Sequence, residues 1–242
     1  MKEQSEVLWH ERTREEIPGY AAKGAVVVVP IASTEQHGVA LPLDTDCRTV
    51  EYVSVRAARL ANCPVLVTRL IPFGLSPHHM MHPGTITLTA ETTIRVLKDV
   101  VRSIAAHGFE HILLLSGHGG NGPAIGAAAM ELKFELGCQV EAGAWWDGTD
   151  AVFKQVCEGP CPGIGHAGEG EGSCIQALRP DLVRPKWGMV PGITDDPRLG
   201  TAEKGWHILN GGAEILAKRY EALYAKPGRD VIGIVPVQTD KK

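Results

Sequence analysis

The chain has 242 residues, 44% of them hydrophobic and 21% charged, and its formal net charge is −4. This composition fits a folded protein with a sizeable core. It includes neither the basic block of a nucleic-acid-binding protein nor an apolar run near the ~20 residues of a membrane-spanning helix. The first 16 residues lack the apolar core of a secretory signal, so we expect a cytoplasmic protein whose six cysteines are reduced thiols.

The predicted elements alternate between strands and helices along the chain. A β-rich run at 25–31 is followed by a predicted helix from Arg48 to Leu60, and a second strand begins at 65–67. Residues 90–107 have their apolar side chains on one helical face, and Thr89 is placed to cap that helix. Such alternation indicates βαβ units.

The second half of the chain continues the alternation. We predict strands at 112–115, 139–145 and 231–237, and helices at about 122–136, from near Glu171, and at about 202–225. The segments 147–165 and 185–200 are too irregular for core elements, so they are expected to be loops that cover a site. The pattern predicts a mainly parallel sheet in a single domain spanning residues 1–242.

Two short polar stretches each follow an apolar run that is typical of a buried strand. The first is S-T-E-Q-H-G at 33–38 and the second is S-G-H-G-G-N at 116–121. In an open α/β sheet, ligands bind at the edge where the strands end. Glu35 and His37 point the same way in an extended segment, and Asp46 follows nine residues after His37. Such mixed nitrogen and oxygen ligands suit Zn, Mn or Fe.

A third polar stretch adds to the candidate site. His118 lies in the glycine turn, where missing side chains let a metal or substrate approach the backbone. The motif H-A-G-E-G-E then supplies His166, Glu169 and Glu171. Each residue alone has a plainer explanation, such as a helix cap or a solvated charge at a helix start. Their recurrence in three separate segments favours one shared site.

These motifs, in this order, resemble those of the creatininase (creatinine amidohydrolase) family. S-T-E-Q-H-G precedes L-P-L-x-T-D, G-H-G-G-N and H-A-G-E-x-E, and the spacing matches over about residues 25–182; P-G-T at 83–85 and L-R-P-D at 178–181 match as well. The resemblance implies a three-layer α/β/α fold with a mainly parallel central sheet. It also implies two divalent metal ions per subunit (Zn, Mn or Fe), a small-molecule substrate and a homo-oligomer, hexameric as in relatives.

The resemblance gives each metal ligand a role. Glu35 and His37 resemble ligands of two different metals, and Asp46 resembles the carboxylate that bridges them. His118 resembles a ligand of the metal held by Glu35. Glu171 resembles the residue that closes the second site.

For catalysis, the resemblance implies a hydrolase in which a metal-activated water attacks a carbonyl. His166 resembles a catalytic or substrate-orienting histidine, and either His166 or Glu169 would protonate the leaving group. The expected reaction is amide C–N cleavage in a small cyclic compound. The alternatives are C–C hydrolysis of a keto-inositol ring and a non-catalytic metal- or ligand-binding protein. A Rossmann-like nucleotide site is disfavoured, because 117–122 lacks the G-x-G-x-x-G spacing.

Three positions depart from the family pattern. Gly120 stands where creatininase itself has a carboxylate, which argues against creatinine as the substrate and makes Glu171 necessary for holding the second metal. Asp44 replaces the usual glycine before T-D, and Gly172 replaces the threonine that commonly follows the last glutamate.

The segment P-H-H-M-M-H at 77–82 places three histidines just before P-G-T. Their hydrogen-bonding nitrogens suit an oxygen-rich substrate ring, and packing or a subunit contact explains them nearly as well. The tryptophans are expected mainly in packing roles, with one available to line the pocket; those considered are Trp145, Trp146, Trp187 and Trp206.

Overall fold

The computed structural model describes residues 7–229. Its parallel sheet has the order β2-β1-β3-β4, with β1 at Val26–Ile31, β2 at Val65–Val67, β3 at His111–Ser116 and β4 at Gln139–Ala144. The helices are α1 Ile17–Ala22, α2 Thr45–Leu60, α3 Ala90–Ala106, α4 Gly122–Leu136, α5 Asp150–Val156, α6 Glu169–Leu178 and α7 Ala202–Tyr224.

Helices cover both faces of the sheet. Alternate residues of β1 enter different cores: Val26 and Val28 pack in the core that α2, α6 and α7 share, and Val27 packs in the core that α3 and α4 share. All six residues of β1 and of β3 are buried, because neither face of either strand meets solvent. The predicted three-layer α/β/α fold with a parallel central sheet is therefore confirmed.

Helix α2 begins at Thr45, three residues before the predicted start at Arg48. This difference places Asp46 in the first turn of the helix rather than in the preceding loop. Helix α3 begins as predicted, because Thr89 Oγ1 accepts a hydrogen bond from the backbone N–H of Thr92 at 3.1 Å.

Helix α5 lies inside segment 147–165, so the prediction that this whole segment is irregular was wrong. Its seven residues are too few to establish a helical periodicity in the sequence. The predicted strand at 231–237 lies outside the described residues. All six cysteines are free thiols, as expected, and within residues 7–229 no helix combines the length and apolar character needed to cross a membrane.

Candidate metal centre

Five predicted ligands meet at the carboxyl edge of the sheet. Glu35 and His37 follow β1, His118 follows β3, and Asp46 and Glu171 lie in the first turns of α2 and α6. Each of the five is at most 5% exposed. Parallel strands end together at this edge, so residues distant in sequence come together there.

Asp46 lies between the two imidazoles. Its Oδ1 is 3.1 Å from His37 Nε2, and its Oδ2 is 3.2 Å from His118 Nδ1. On one side, Glu35 Oε1 lies 3.1 Å from His118 Nδ1; on the other, Glu171 Oε2 lies 3.3 Å from His37 Nε2. The ligand atoms thus fall into two neighbouring groups, one of Glu35, Asp46 and His118 and one of His37, Glu171 and His166. The Asp46 carboxylate contacts an imidazole of each group.

The distances between the ligand atoms and the buried carboxylate oxygens are both consistent with bound cations. Ligands bound at about 2.0–2.1 Å around a tetrahedral zinc ion lie about 3.3 Å apart, close to the distances seen here. Both carboxylate oxygens of Glu35 and Oδ2 of Asp46 are buried and accept no hydrogen bond of normal geometry from the described residues, although imidazole nitrogens lie within 3.1–3.5 Å of Glu35 Oε1. Leaving buried acceptors unpaired is costly, and a bound cation would relieve that cost.

The imidazole nitrogens that face away from the carboxylates are held by acceptors. His37 Nδ1 lies 3.1 Å from the backbone oxygen of Glu35. His118 Nε2 lies 3.1 Å from Ser76 Oγ and 3.3 Å from the backbone oxygen of Leu75. Because a carbonyl oxygen only accepts, these nitrogens carry a proton, and the opposite ones would offer a lone pair when a metal is bound.

The carboxylates also change the protonation of both histidines. Burial alone would lower the pKa of His37, but the charges of Glu171 and Asp46 raise it well above its ordinary value. Burial acts the same way on His118, and contacts with Asp46 and Glu35 raise its pKa to about 10. Without a cation, protons on these rings therefore balance the carboxylate charge.

Two glycines of the G-H-G-G-N motif allow close packing around His118. A Cβ at Gly117 would lie 2.7 Å from the backbone oxygen of Asp46 and 2.8 Å from the Val50 side chain. A Cβ at Gly120 would overlap His118 Nε2 and the Leu75 carbonyl oxygen. No side chain fits at Gly120 without displacing the histidine, which agrees with the missing carboxylate at this position.

Glu171 is supported without the threonine that commonly follows it in the family. Its Oε2 accepts a hydrogen bond of 2.6 Å from the backbone N–H of Ala167. Ala167 adopts a left-handed conformation with φ of 52°, which is rare for a residue with a side chain. The loop before α6 is therefore shaped to present a backbone donor to this carboxylate.

A cavity of about 440 Å³ opens onto the centre, within the usual size range of small-molecule sites. Both segments that were predicted to cover a site contribute to its wall, through Ile164 and Ile193. Trp146 also lines the cavity, whereas Trp145 is buried in the core.

Two further histidines line the cavity beside Glu35. His166 Nδ1 lies 3.5 Å from Glu35 Oε1, and His79 Nε2 lies 3.4 Å from the same atom. Burial lowers the pKa of both imidazoles below the ordinary value. The structure thus brings His166 to the predicted site and adds His79 from the 77–82 segment, and His78 of the same segment also lines the cavity.

Gln36 is a site residue to which the sequence pattern assigned no role. Its Nε2 lies 2.9 Å from His166 Nε2, 3.1 Å from His79 Nδ1 and 2.9 Å from the backbone oxygen of Gly192. Only its position between Glu35 and His37 in the motif could have drawn attention to it.

Glu169 is not brought to this cluster. Its buried carboxylate accepts hydrogen bonds from the backbone N–H groups of Glu158 and Gly159, and from Lys204 Nζ at 2.7 Å. Glu169 and Glu171 are two apart on a helix, and residues at that spacing face different directions. The carboxylate of Glu169 therefore ties α6 to α7 and the loop at 158–159.

Replacing Lys204 by methionine is expected to lower the free energy of unfolding by about 2–4 kcal/mol, because Glu169 would keep a buried charge without its cation. Urea denaturation measures this change. Glu158→Gln is the matched control, because Glu158 pairs with the same ammonium but its side chain is 71% exposed. Equal destabilisation by both variants would contradict the assigned role of the buried pair.

The fold and this centre together define the class: an α/β/α protein with a candidate metal site at the carboxyl edge of its sheet. The creatininase (creatinine amidohydrolase) family model matches residues 10–220. The chain therefore belongs to the creatininase family, whose named relatives below are hydrolases.

The chain is 35% identical over 233 residues to the mycofactocin precursor peptide peptidase of Mycobacterium tuberculosis, covering 83% of this chain and 86% of that protein. The match to the protein of the same name from Mycobacterium ulcerans is 34% identical and covers 65% of this chain and 60% of that protein. The 3-dehydro-scyllo-inosose hydrolase of Thermotoga maritima is 28% identical over 77% of this chain and 61% of its own length.

Solved structures agree on the fold. A crystal structure of creatinine amidohydrolase (creatininase) superposes with a TM-score of 0.75 at 25% identity, covering 92% of this chain and 100% of that one. Other creatininase structures are described as a manganese form and as a Zn-Zn type. Creatininase structures are thus known with zinc and with manganese.

Proposed function

We propose that this protein is a metal-dependent amide hydrolase that holds two divalent cations per subunit. The observation that carries the proposal is the Asp46 carboxylate, whose two oxygens face His37 and His118 at 3.1 and 3.2 Å. In the proposal, Glu35 completes one site with His118, and Glu171 completes the other with His37. Zn, Mn and Fe all accept this set of ligands.

When bound, such cations supply a water nucleophile at neutral pH and polarise a carbonyl oxygen. The protein's own part is to hold the carboxylates and imidazoles rigidly and to shape the cavity. Hydrogen bonds from the ligand histidines to Ser76 and to backbone carbonyls fix the ring orientations. The buried position of the cluster strengthens each of these electrostatic contacts.

His166 is the group that we assign to proton transfer at the leaving atom. It lines the cavity, and Glu169 does not. In an amide, the leaving atom is a nitrogen, which departs readily only when it is protonated. Glu169, held by Lys204 and backbone N–H groups, is assigned a structural role instead.

The activities of the relatives and the size of the cavity limit the range of possible substrates. We favour amide C–N cleavage in a small compound, cyclic as in the family default; the peptidase relatives make a peptide amide a second candidate. The inosose hydrolase relative supports C–C cleavage of a keto-inositol as an alternative. Product identification after incubation with cyclic amides, formamides, short peptides and keto-inositols distinguishes these reactions. If the protein with both metals bound cleaves none of them, a non-catalytic binding function is favoured.

Removing the cations with a chelator should abolish hydrolysis and lower the melting temperature. A ligand at 100 times its dissociation constant stabilises by about 2.7 kcal/mol, which for a chain of this size is about 5–10 °C per site. Differential scanning fluorimetry before and after adding ZnCl₂ or MnCl₂ measures the shift, with MgCl₂ as the control. An unchanged melting temperature would contradict metal binding at this buried cluster.

We also propose a cytoplasmic location, a single domain and a homo-oligomer, for which the family resemblance suggests a hexamer. Size-exclusion chromatography with light scattering tests the last of these.

A further inference from the structure

The side-chain amide of Gln36 has one orientation in this site. Its Oε1 accepts a hydrogen bond from the backbone N–H of Gly38 at 2.9 Å, and its Nε2 lies 2.9 Å from the backbone oxygen of Gly192. A flipped amide would place its nitrogen against the N–H of Gly38 and its oxygen against the carbonyl of Gly192. Both contacts would then be repulsive, so Nε2 faces the cavity side.

Two imidazoles meet this nitrogen. His166 Nε2 lies 2.9 Å away and His79 Nδ1 lies 3.1 Å away. The amide nitrogen carries two hydrogens: one is donated to the Gly192 carbonyl, and the other is left for the two imidazoles to share. Because this nitrogen donates but does not accept, a proton on either ring nitrogen would point at another donor. Both of these ring nitrogens are therefore unprotonated. In a neutral imidazole the proton must then sit on the opposite nitrogen, which is Nε2 of His79 and Nδ1 of His166.

Those two protonated nitrogens point to the same place. They lie 3.4 and 3.5 Å from Glu35 Oε1. The rings are stacked with centroids 4.3 Å apart and an angle of 20° between them, and their side chains are only 12% and 16% exposed. The N–H groups of His79 and His166 thus point toward Glu35 Oε1, at the edge of the cavity that both rings line.

We propose that His79 is a second catalytic histidine, whose Nε2–H group donates to the oxyanion that forms on the substrate carbonyl, beside the Nδ1–H group of His166 that is assigned to the leaving atom, and that Gln36 is a positioning residue that fixes both tautomers. The inference rests on the proposed hydrolase function. With Glu35 occupied as a metal ligand, the two N–H groups are free to donate to the substrate. Donors fixed before the reaction cost no reorganisation when charge develops.

Glycine at position 192 is part of this arrangement. Gly192 has φ of 90°, and a Cβ there would lie 3.0 Å from Gln36 Nε2. The backbone carbonyl that fixes the amide can approach only because this residue has no side chain. Segment 185–200 therefore reaches the metal centre through Gln36.

Tautomers are read directly by long-range ¹H–¹⁵N correlation spectra of the zinc-loaded protein labelled with ¹⁵N-histidine. We expect His79 to carry its proton on Nε2 and His166 on Nδ1, with signals assigned from the variants that lack each ring. In Gln36→Met, both rings should become tautomer mixtures while zinc content is unchanged. Gln176→Met is the matched control, because the Gln176 amide donates to Gly200 of the same segment. A proton on Nδ1 of His79 in the unaltered protein would overturn the inference.

Catalytic contact is tested separately. His79→Ala should lower kcat about 10²- to 10³-fold with a smaller change in KM, the cost of losing one oxyanion donor. His79→Gln should recover part of the rate, because its amide places an N–H near the same position. Inorganic phosphate, a tetrahedral oxyanion, serves as a probe that needs no substrate: its Kd should rise about tenfold in His79→Ala and stay unchanged in Gln176→Met.

The outcomes separate the two proposals. Predicted tautomers and weakened phosphate binding in His79→Ala, without hydrolysis of any tested compound, would count against the hydrolase function and leave the donor pair standing. Hydrolysis that persists at the normal kcat in His79→Ala would refute the catalytic role of His79 and leave the metal hydrolase intact.

Discussion

Replacing Asp46 by alanine is expected to remove both cations and to lower kcat/KM by at least about 10³-fold, which corresponds to about 4 kcal/mol of lost transition-state stabilisation. The reason is geometric. Asp46 is the residue whose two oxygens face both His37 and His118, so its loss opens both clusters at once. Metal content by mass spectrometry and steady-state kinetics on the identified substrate measure the two effects in one preparation.

Asp44→Ala is the matched control for that experiment. Asp44 lies two residues away, but its carboxylate is 40% exposed and pairs with Arg48 at 2.6 Å. This variant should keep both cations and most of the activity. An Asp46→Ala protein that is folded by circular dichroism and retains activity would refute the bridging role.

Replacing Glu171 by glutamine should have a more selective effect. Glu171 contacts His37 at 3.3 Å, whereas Glu35 and His118 form the other cluster, so the variant should keep one cation per subunit instead of two. Activity should fall by about 10²-fold or more, since outer-sphere changes alone commonly cost 10- to 100-fold and this change removes a ligand. Titration with a fluorescent zinc indicator gives the stoichiometry.

Glu169→Gln provides the comparison within the same motif. Its carboxylate bonds Lys204 and the backbone at 158–159, not the metal cluster. The variant should bind two cations and be less stable to urea. If Glu169→Gln lost one cation and Glu171→Gln lost none, the roles of the two acids would have to be exchanged.

Sequence reasoning succeeded where local pattern and topology agree. The apolar runs of β1 and β3 are continuous because both faces are covered, and parallel strands place the residues that follow them at one edge. That rule alone predicts that Glu35, His37 and His118 lie together. Asp46 and Glu171 join them because each lies in the first turn of a helix that begins at the same edge.

The roles that the sequence did not predict are set by contacts between distant segments of the chain. Gln36 touches His79 across 43 positions and His166 across 130, and no spacing within a motif encodes either contact. Glu169 was grouped with Glu171 because both are acids in one short motif. The helical register separates them, since positions two apart share a face in a strand but not in a helix.

The paired-cation centre is tested most directly by the anomalous scattering of crystals grown with zinc and measured at the zinc absorption edge. We expect two peaks per subunit, one enclosed by Glu35, His118 and Asp46 and the other by His37, Asp46 and Glu171. A single peak, or peaks away from the Asp46 carboxylate, would contradict a centre bridged by that residue.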